Sequence, residues 1–186
     1  KEIARISGKQ YGVKASWDIA IRVIADHLRA VAFSIADGQL PSNNRAGYVI
    51  RRILRRAVRY GYNHLEMEEP FIYKLLPVLV KLMGDQYPEL KASEEQIAKI
   101  IKEEEVSFLK TLGKGLKMIG SIINDLNKDN KKTLPGKVAF ELYDTYGFPL
   151  DLTQLILKEH DMETDINGFE DEMKRQKSRS REDASQ

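Results

Sequence analysis

The chain has 186 residues, with 30 Lys or Arg against 28 Asp or Glu and a net charge of +2. At 42% hydrophobic and 31% charged it is a globular mixture, long enough for one large domain or two small ones. It has no cysteine, which excludes disulfides, thiolate zinc sites and a cysteine nucleophile, and no uncharged apolar run long enough to span a membrane. The first residues lack an apolar signal core, so a cytoplasmic location is expected, and a start at Lys1 fits a piece of a longer polypeptide.

Residues 1–15 are polar and contain glycine, and read as a lead-in from something upstream. Ser16 or Asp18 can open a helix to about Ala36, with Ile19, Val23, Ile24, Leu28, Val31, Ala32 and Ile35 at three- and four-residue spacing. Asp37-Gly38 stops it, and a second helix is expected from Gly47 to Tyr60, ending at Gly61. A third runs from Pro70 to Met83, where Pro77 should kink or split it. The longest run is Ser93 to Leu126, opened by a Ser93/Gln96 capping box, with Ile97, Ile101, Phe108, Leu112, Leu116, Ile119, Ile123 and Leu126 on one stripe. Gly113, Gly115 and Gly120 each weaken its second half by about 1 kcal/mol relative to Ala.

Asn127–Lys132 is a charged connector and the expected internal boundary. Beyond it, helices are expected over Lys137–Thr145, from Asp151 (paired with Gln154) to His160, and from Asn167 (paired with Glu170) to Arg181. The charged C-terminal end is expected to fray. Strong β patterns are missing. The fold class is all-α with about seven helices, in a larger lobe over 16–128 and a smaller one over 133–186.

The second helix carries the densest signal. From Asp37 to Tyr62 there are six Arg and one Asp: Arg45, Arg51, Arg52, Arg55, Arg56 and Arg59 against Asp37. At 100° per residue the five helical arginines fall within about 140° of arc, with Val49, Ile50, Ile53, Leu54, Ala57 and Val58 on the other half. Arg in place of Lys favours planar partners such as phosphate or carboxylate. The strip reads as a nucleic-acid phosphate surface, or as a face neutralised internally by Glu66, Glu68, Glu69 and Glu103–Glu105. Taken alone, Glu103–Glu105 reads as a solvated face. The loop Pro41–Ala46 stands at the helix N-terminus, where Ser42, Asn43 and Asn44 can cap the helix or face an anion. Tyr143–Pro149 is an aromatic turn with Asp144 at a helix end, where the dipole gives an anion nothing. There Asp144 meets a specific partner or simply bonds neighbouring N–H groups in a packed corner. His27, His64 and His160 are scattered, no metal or nucleophile motif occurs, and the residues alone read as a binding module.

Four segments resemble the alanyl-tRNA synthetase family: Arg22–Ala30, Ile35–Gly38, Pro41–Asn43 and Gly47–Arg59. Phe140–Thr153 resembles a second block, and Gly168–Glu170 with Met173 and Gln176 a weaker third. The resemblance covers roughly 16–181, with 62–135 matching in length and helical pattern. It implies a helical tRNA-recognition region between a class II catalytic core upstream and an editing domain downstream, with 1–15 leading in from that core. The region would contact the acceptor stem of alanine tRNA and read a G·U wobble pair through Asn43 and Asp144. The Arg45, Arg51, Arg52, Arg55, Arg56 and Arg59 guanidiniums would grip phosphate. The G·U pair leaves a guanine amino group unpaired in the shallow RNA minor groove. An amide can donate and accept there, whereas an ionised Asp only accepts. Many family members carry Arg directly before Gly-Tyr, where this chain has Ala46 with Arg45 one residue earlier. The class II motifs for ATP and alanine and the His-rich zinc motif of the editing domain are missing. The implied parent attaches alanine using ATP with Mg, while ATP, Mg and zinc all belong to its other parts. The isolated chain is expected to be inactive, with no catalytic residue and no metal site. The alternative is a helical scaffold whose Arg face is salt-bridged internally.

Overall fold

A computed structural model describes the backbone of residues 1–183 and the side chains as far as Arg179. The fraying expected at the chain end concerns residues that in part lie outside those described. The fold is all-α, with helices α1 (Glu2–Ser7), α2 (Ala15–Ala36), α3 (Arg45–Leu65), α4 (Leu76–Met83), α5 (Pro88–Ala92), α6 (Glu94–Lys128), α7 (Gly136–Asp144), α8 (Leu150–Lys158) and α9 (Ile166–Asp183). A 3-10 turn, Ile72–Leu75, precedes α4. Two strands, β1 (Thr133–Leu134) and β2 (Glu163–Thr164), pair in parallel with Thr133 opposite Glu163. No described helix is long and apolar enough to cross a membrane.

The chain groups into two compact units, Lys1–Lys110 and Thr111–Gln186. The division falls inside α6 and not at the charged connector, which only closes that helix. Residues 1–15 form more than a lead-in, since α1 buries Ile3.

In the first unit α2 lies along α3 and buries Ala20, Ile21, Ile24, Leu28, Val31, Ala32 and Ile35. The stripe begins at Ala20 and Ile21, and Ile19 is exposed. Neither Ser16 nor Asp18 caps α2. Its cap position is Lys14, and Asp18 Oδ1 accepts the Gly12 N–H at 2.8 Å. The second helix does not end at Gly61. It continues to Leu65, and the Phe71 ring lies against Gly61 where a Cβ would stand, so this glycine permits close packing. Glu66, in the left-handed region at φ 58°, ends it instead. Pro77 splits the third expected helix, standing in the first turn of α4 where its missing N–H costs nothing.

In the second unit α8 follows the aromatic turn and packs on β2. β1–α7 and β2–α9 form two strand–helix segments side by side. Gly136 and Gly168 let the first turns of α7 and α9 touch backbone to backbone. Asp165 caps α9 by accepting the Gly168 N–H at 3.0 Å, a role the sequence pointed toward Asn167. From Thr111 onward α6 contributes the buried residues Leu112, Ile119, Ile123 and Leu126.

The α6 glycines differ in consequence. A Cβ at Gly115 would overlap the buried Phe148 ring, whereas one at Gly120 would meet nothing within 4 Å. Gly120→Ala is therefore expected to stabilise by about 0.5–1 kcal/mol and Gly115→Ala to destabilise by about 1–3 kcal/mol. Urea unfolding of the two variants checks both signs.

Candidate nucleic-acid interface

The loop ahead of α3 is built on itself. Ser42 N–H donates to Gly47 O at 3.0 Å, Ser42 Oγ donates to Asn44 O at 2.9 Å, and Asn44 N–H donates to Ser42 Oγ at 3.3 Å. Leu40 and Ser42 lie where a Cβ on Gly47 would stand, so the loop folds down onto the helix only because residue 47 is glycine. Asn44 takes the cap position without a side-chain cap bond, so capping does not account for these polar residues. Asn43 is exposed.

The arginines turn inward more than a free strip would. Arg51 Nε and Nη2 donate to the two Glu104 oxygens at 3.0 and 2.6 Å, and its Nη1 donates to Asn43 Oδ1 at 2.5 Å. Arg55 Nη2 lies 3.6 Å from Glu104 Oε2, with its guanidinium 5.1 Å from the centre of the Phe108 ring. Arg59 is 4% exposed. Arg52 and Arg56 are half-buried, and of the six only Arg45 is exposed, at φ 49° on the first turn. On the side expected to be core, Val49 is exposed. The face expected to be uniform therefore divides, with Arg51 and Arg55 held by a carboxylate and Arg45 open.

The expectation of a solvated face at Glu103–Glu105 holds for Glu103, which is exposed, and requires correction for the next two. Glu104 pairs with Arg51, and Glu105 is fully buried. Its two oxygens accept the backbone N–H groups of Phe71, Ile72 and Tyr73 at 2.9, 2.9 and 3.0 Å. The signal was present in the sequence: the apolar stripe skips from Ile101 to Phe108, and Glu105 occupies the gap on the same face. Burial pushes its carboxyl above the ordinary value, while the three N–H bonds and Lys74 pull it down.

In the second unit Asp144 ends α7 and is exposed. Gln176 Nε2, on α9, donates to Asp144 Oδ1 at 2.5 Å. The turn beyond it is a packed corner, with Gly147 at φ 70°, Phe148 buried, and Thr111 Oγ1 donating to Tyr146 O at 2.8 Å. Tyr143 meets Phe169 edge-on at 5.7 Å. Asp144 stands outside that packing, bonded to a side-chain amide and not to neighbouring backbone N–H groups. The histidines stay apart in role: His27 is half-buried and held below its ordinary pKa by burial and by Arg56, and His160 is exposed. Among the described residues no group of His, Asp or Glu could hold a metal.

The family model of class II (A) tRNA synthetases matches residues 1–186, and the chain belongs to that family. Within it, relatives that align with this chain include alanine–tRNA ligases. Those of Bacteroides fragilis and Christiangramia forsetii are 58% and 59% identical over 181 residues, 97% of this chain. That of Cytophaga hutchinsonii is 54% identical over 183 residues, 98% of this chain. The chain spans about a fifth of the length of these relatives, 21%, 20% and 21% respectively.

The raised carboxyl of Glu105 sets a pH dependence. Its native form binds more protons than the unfolded one between the ordinary value of 4.5 and the raised folded value. Its contribution is thus fully present below 4.5 and is lost as pH rises through the folded value. Glu105→Gln, which replaces the acceptor facing Tyr73 by a donor, is expected to cost about 1–3 kcal/mol. Urea melts across pH should show the gap to wild type widest in acid and narrowing upward; a gap that widens with pH would contradict the sign.

Proposed function

We propose that this chain is the tRNA acceptor-stem recognition region of an alanine–tRNA ligase, with Asn43 and Asp144 reading a G·U wobble pair. The rest of the parent would supply an upstream catalytic core using ATP with Mg and a downstream zinc-bearing editing domain. The observation that carries this reading is Asn43: an exposed amide on a loop folded onto an arginine-rich helix, capping nothing, in a chain that belongs to the family along its whole length. Asp144 supports it as an exposed carboxylate outside the corner packing. Asn43 suits an offset base edge, and Asp144, which only accepts, suits a guanine amino group. Near phosphates a carboxylate costs Coulomb energy, so it contributes selectivity and not affinity. The phosphate grip falls first to Arg45, the exposed one of the six, with Arg51, Arg52, Arg55 and Arg56 half-buried and Arg59 buried.

That inward pairing also favours a second reading, a helical scaffold with its Arg face neutralised by Glu104. Salt separates the two. Phosphate binding makes RNA affinity fall steeply with salt, whereas a scaffold binds no RNA at any salt.

The experiment is a titration of the full-length protein with acceptor-stem hairpins carrying G·U or G·C. A clear preference for G·U is expected, with Asn43→Ala and Asp144→Ala each costing about 1–3 kcal/mol of it. Equal affinity for both hairpins in wild type would overturn the reading.

A further inference from the structure

An exposed asparagine on a loop is ordinarily free to sample several rotamers, and a base reader that must be ordered on binding loses affinity and selectivity. Asn43 is not free. Arg51 lies on α3 eight residues beyond it and, like any long helical side chain, leans back toward the helix N-terminus and so toward the loop. Its Nη1 donates to Asn43 Oδ1. The guanidinium is fixed from the other side by its two-point fork on Glu104 of α6. The Arg51 and Glu104 side chains retain only 20% and 15% of their exposure. Both partners are thus largely shielded from water, and the chain Glu104–Arg51–Asn43 runs from the protein interior to an exposed amide.

The chemistry of this chain of contacts has a direction. A guanidinium carries donors only, so the Asn43 group that meets Arg51 must be its oxygen. The NH2 group is then turned away from the helix. The geometry points to Arg51 and Glu104 as positioning residues that hold Asn43 with its amide nitrogen outward, so that it reads an acceptor in the minor groove. Pyrimidine O2, purine N3 and the ribose 2′-hydroxyl are acceptors of that class. This inference rests on Asn43 contacting RNA as proposed above. It also removes Arg51 from the phosphate-gripping set, because Glu104 already matches its charge.

The full-length protein is titrated with the G·U and G·C hairpins over a range of salt. The variants are Arg51→Lys, which keeps the charge without the fork, Glu104→Gln, which keeps an oxygen without the charge, and Asn43→Asp. The last keeps the acceptor facing Arg51 and removes the outward donor. Each is expected to lower the G·U preference about tenfold, close to the loss in Asn43→Ala, while the slope of log affinity against log salt stays that of wild type. Arg51→Lys added to Asn43→Ala is expected to lower the preference no further, since both act through one contact. Thermal melting checks that the variants fold; should Glu104→Gln not fold, Arg51→Lys and Asn43→Asp decide.

If Arg51→Lys and Asn43→Asp keep the full preference while Asn43→Ala loses it, positioning is overturned and base reading stands. If Arg51→Lys flattens the salt slope by about one phosphate contact with the preference intact, Arg51 binds the backbone and the inference is overturned. A wild-type protein with no preference overturns both readings together.

Discussion

A guanidinium drawn out of water must find a carboxylate, and that requirement organises the first unit. Arg51 and Arg55 converge on Glu104, which brings one side of α3 against the first part of α6 at a defined register. A hydrocarbon contact would leave such a register loose, because dispersion and burial have no direction. A two-point fork between planar groups fixes distance and orientation together. Next to it, Glu105 gathers the N–H groups of Phe71, Ile72 and Tyr73, so neighbouring acids on one turn of α6 hold two separate stretches of chain. Desolvating these charges offsets much of what the pairing gives, and what remains is geometric definition more than stability.

Much of the helical layout was legible in the sequence because it rests on period and punctuation. The stripes of α2 and α6, the split at Pro77 and the three helices after the connector follow from spacing and proline, whereas the expected caps do not hold: the cap positions of α8 and α9 fall to Pro149 and Asp165 and not to Asp151 and Asn167. What escaped depends on partners distant in sequence. Gly61 reads locally as a helix stop, yet the Phe71 ring makes it a packing position. α1 and α5 are too short for a period to register, and the β1–β2 pair is two residues long on each side. The division of the chain at Lys110 falls within an uninterrupted helix, where composition gives no sign of it.

The sequence singled out the candidate residues Asn43 and Asp144 but carried no sign of what they contact. Asn43 and Asp144 stand exposed, and neither is consumed by a cap or by corner packing. The arginines near Asn43 looked alike on a helical projection, since five identical side chains within one arc differ only in what α6 sets against them. Their contacts distinguish the paired Arg51 and Arg55 from the exposed Arg45. Each of these exposed side chains, Asn43 and Asp144, is met by one of fitting polarity: Arg51 donates to the Asn43 oxygen, and Gln176 donates to the Asp144 carboxylate. One surface is left offering a donor and the other an acceptor.

The paired helices of the second unit have a mechanical consequence. Gly136 touches Gly168, and eight residues further along each helix Asp144 meets Gln176. Equal rise on both sides means that α7 and α9 run abreast in the same direction, pinned at two points about 12 Å apart. Two pins remove the freedom to pivot that one would leave. A displacement of α9 along its axis would reach Asp144 through the Gln176 amide as well as through the backbone contact where the two helices start.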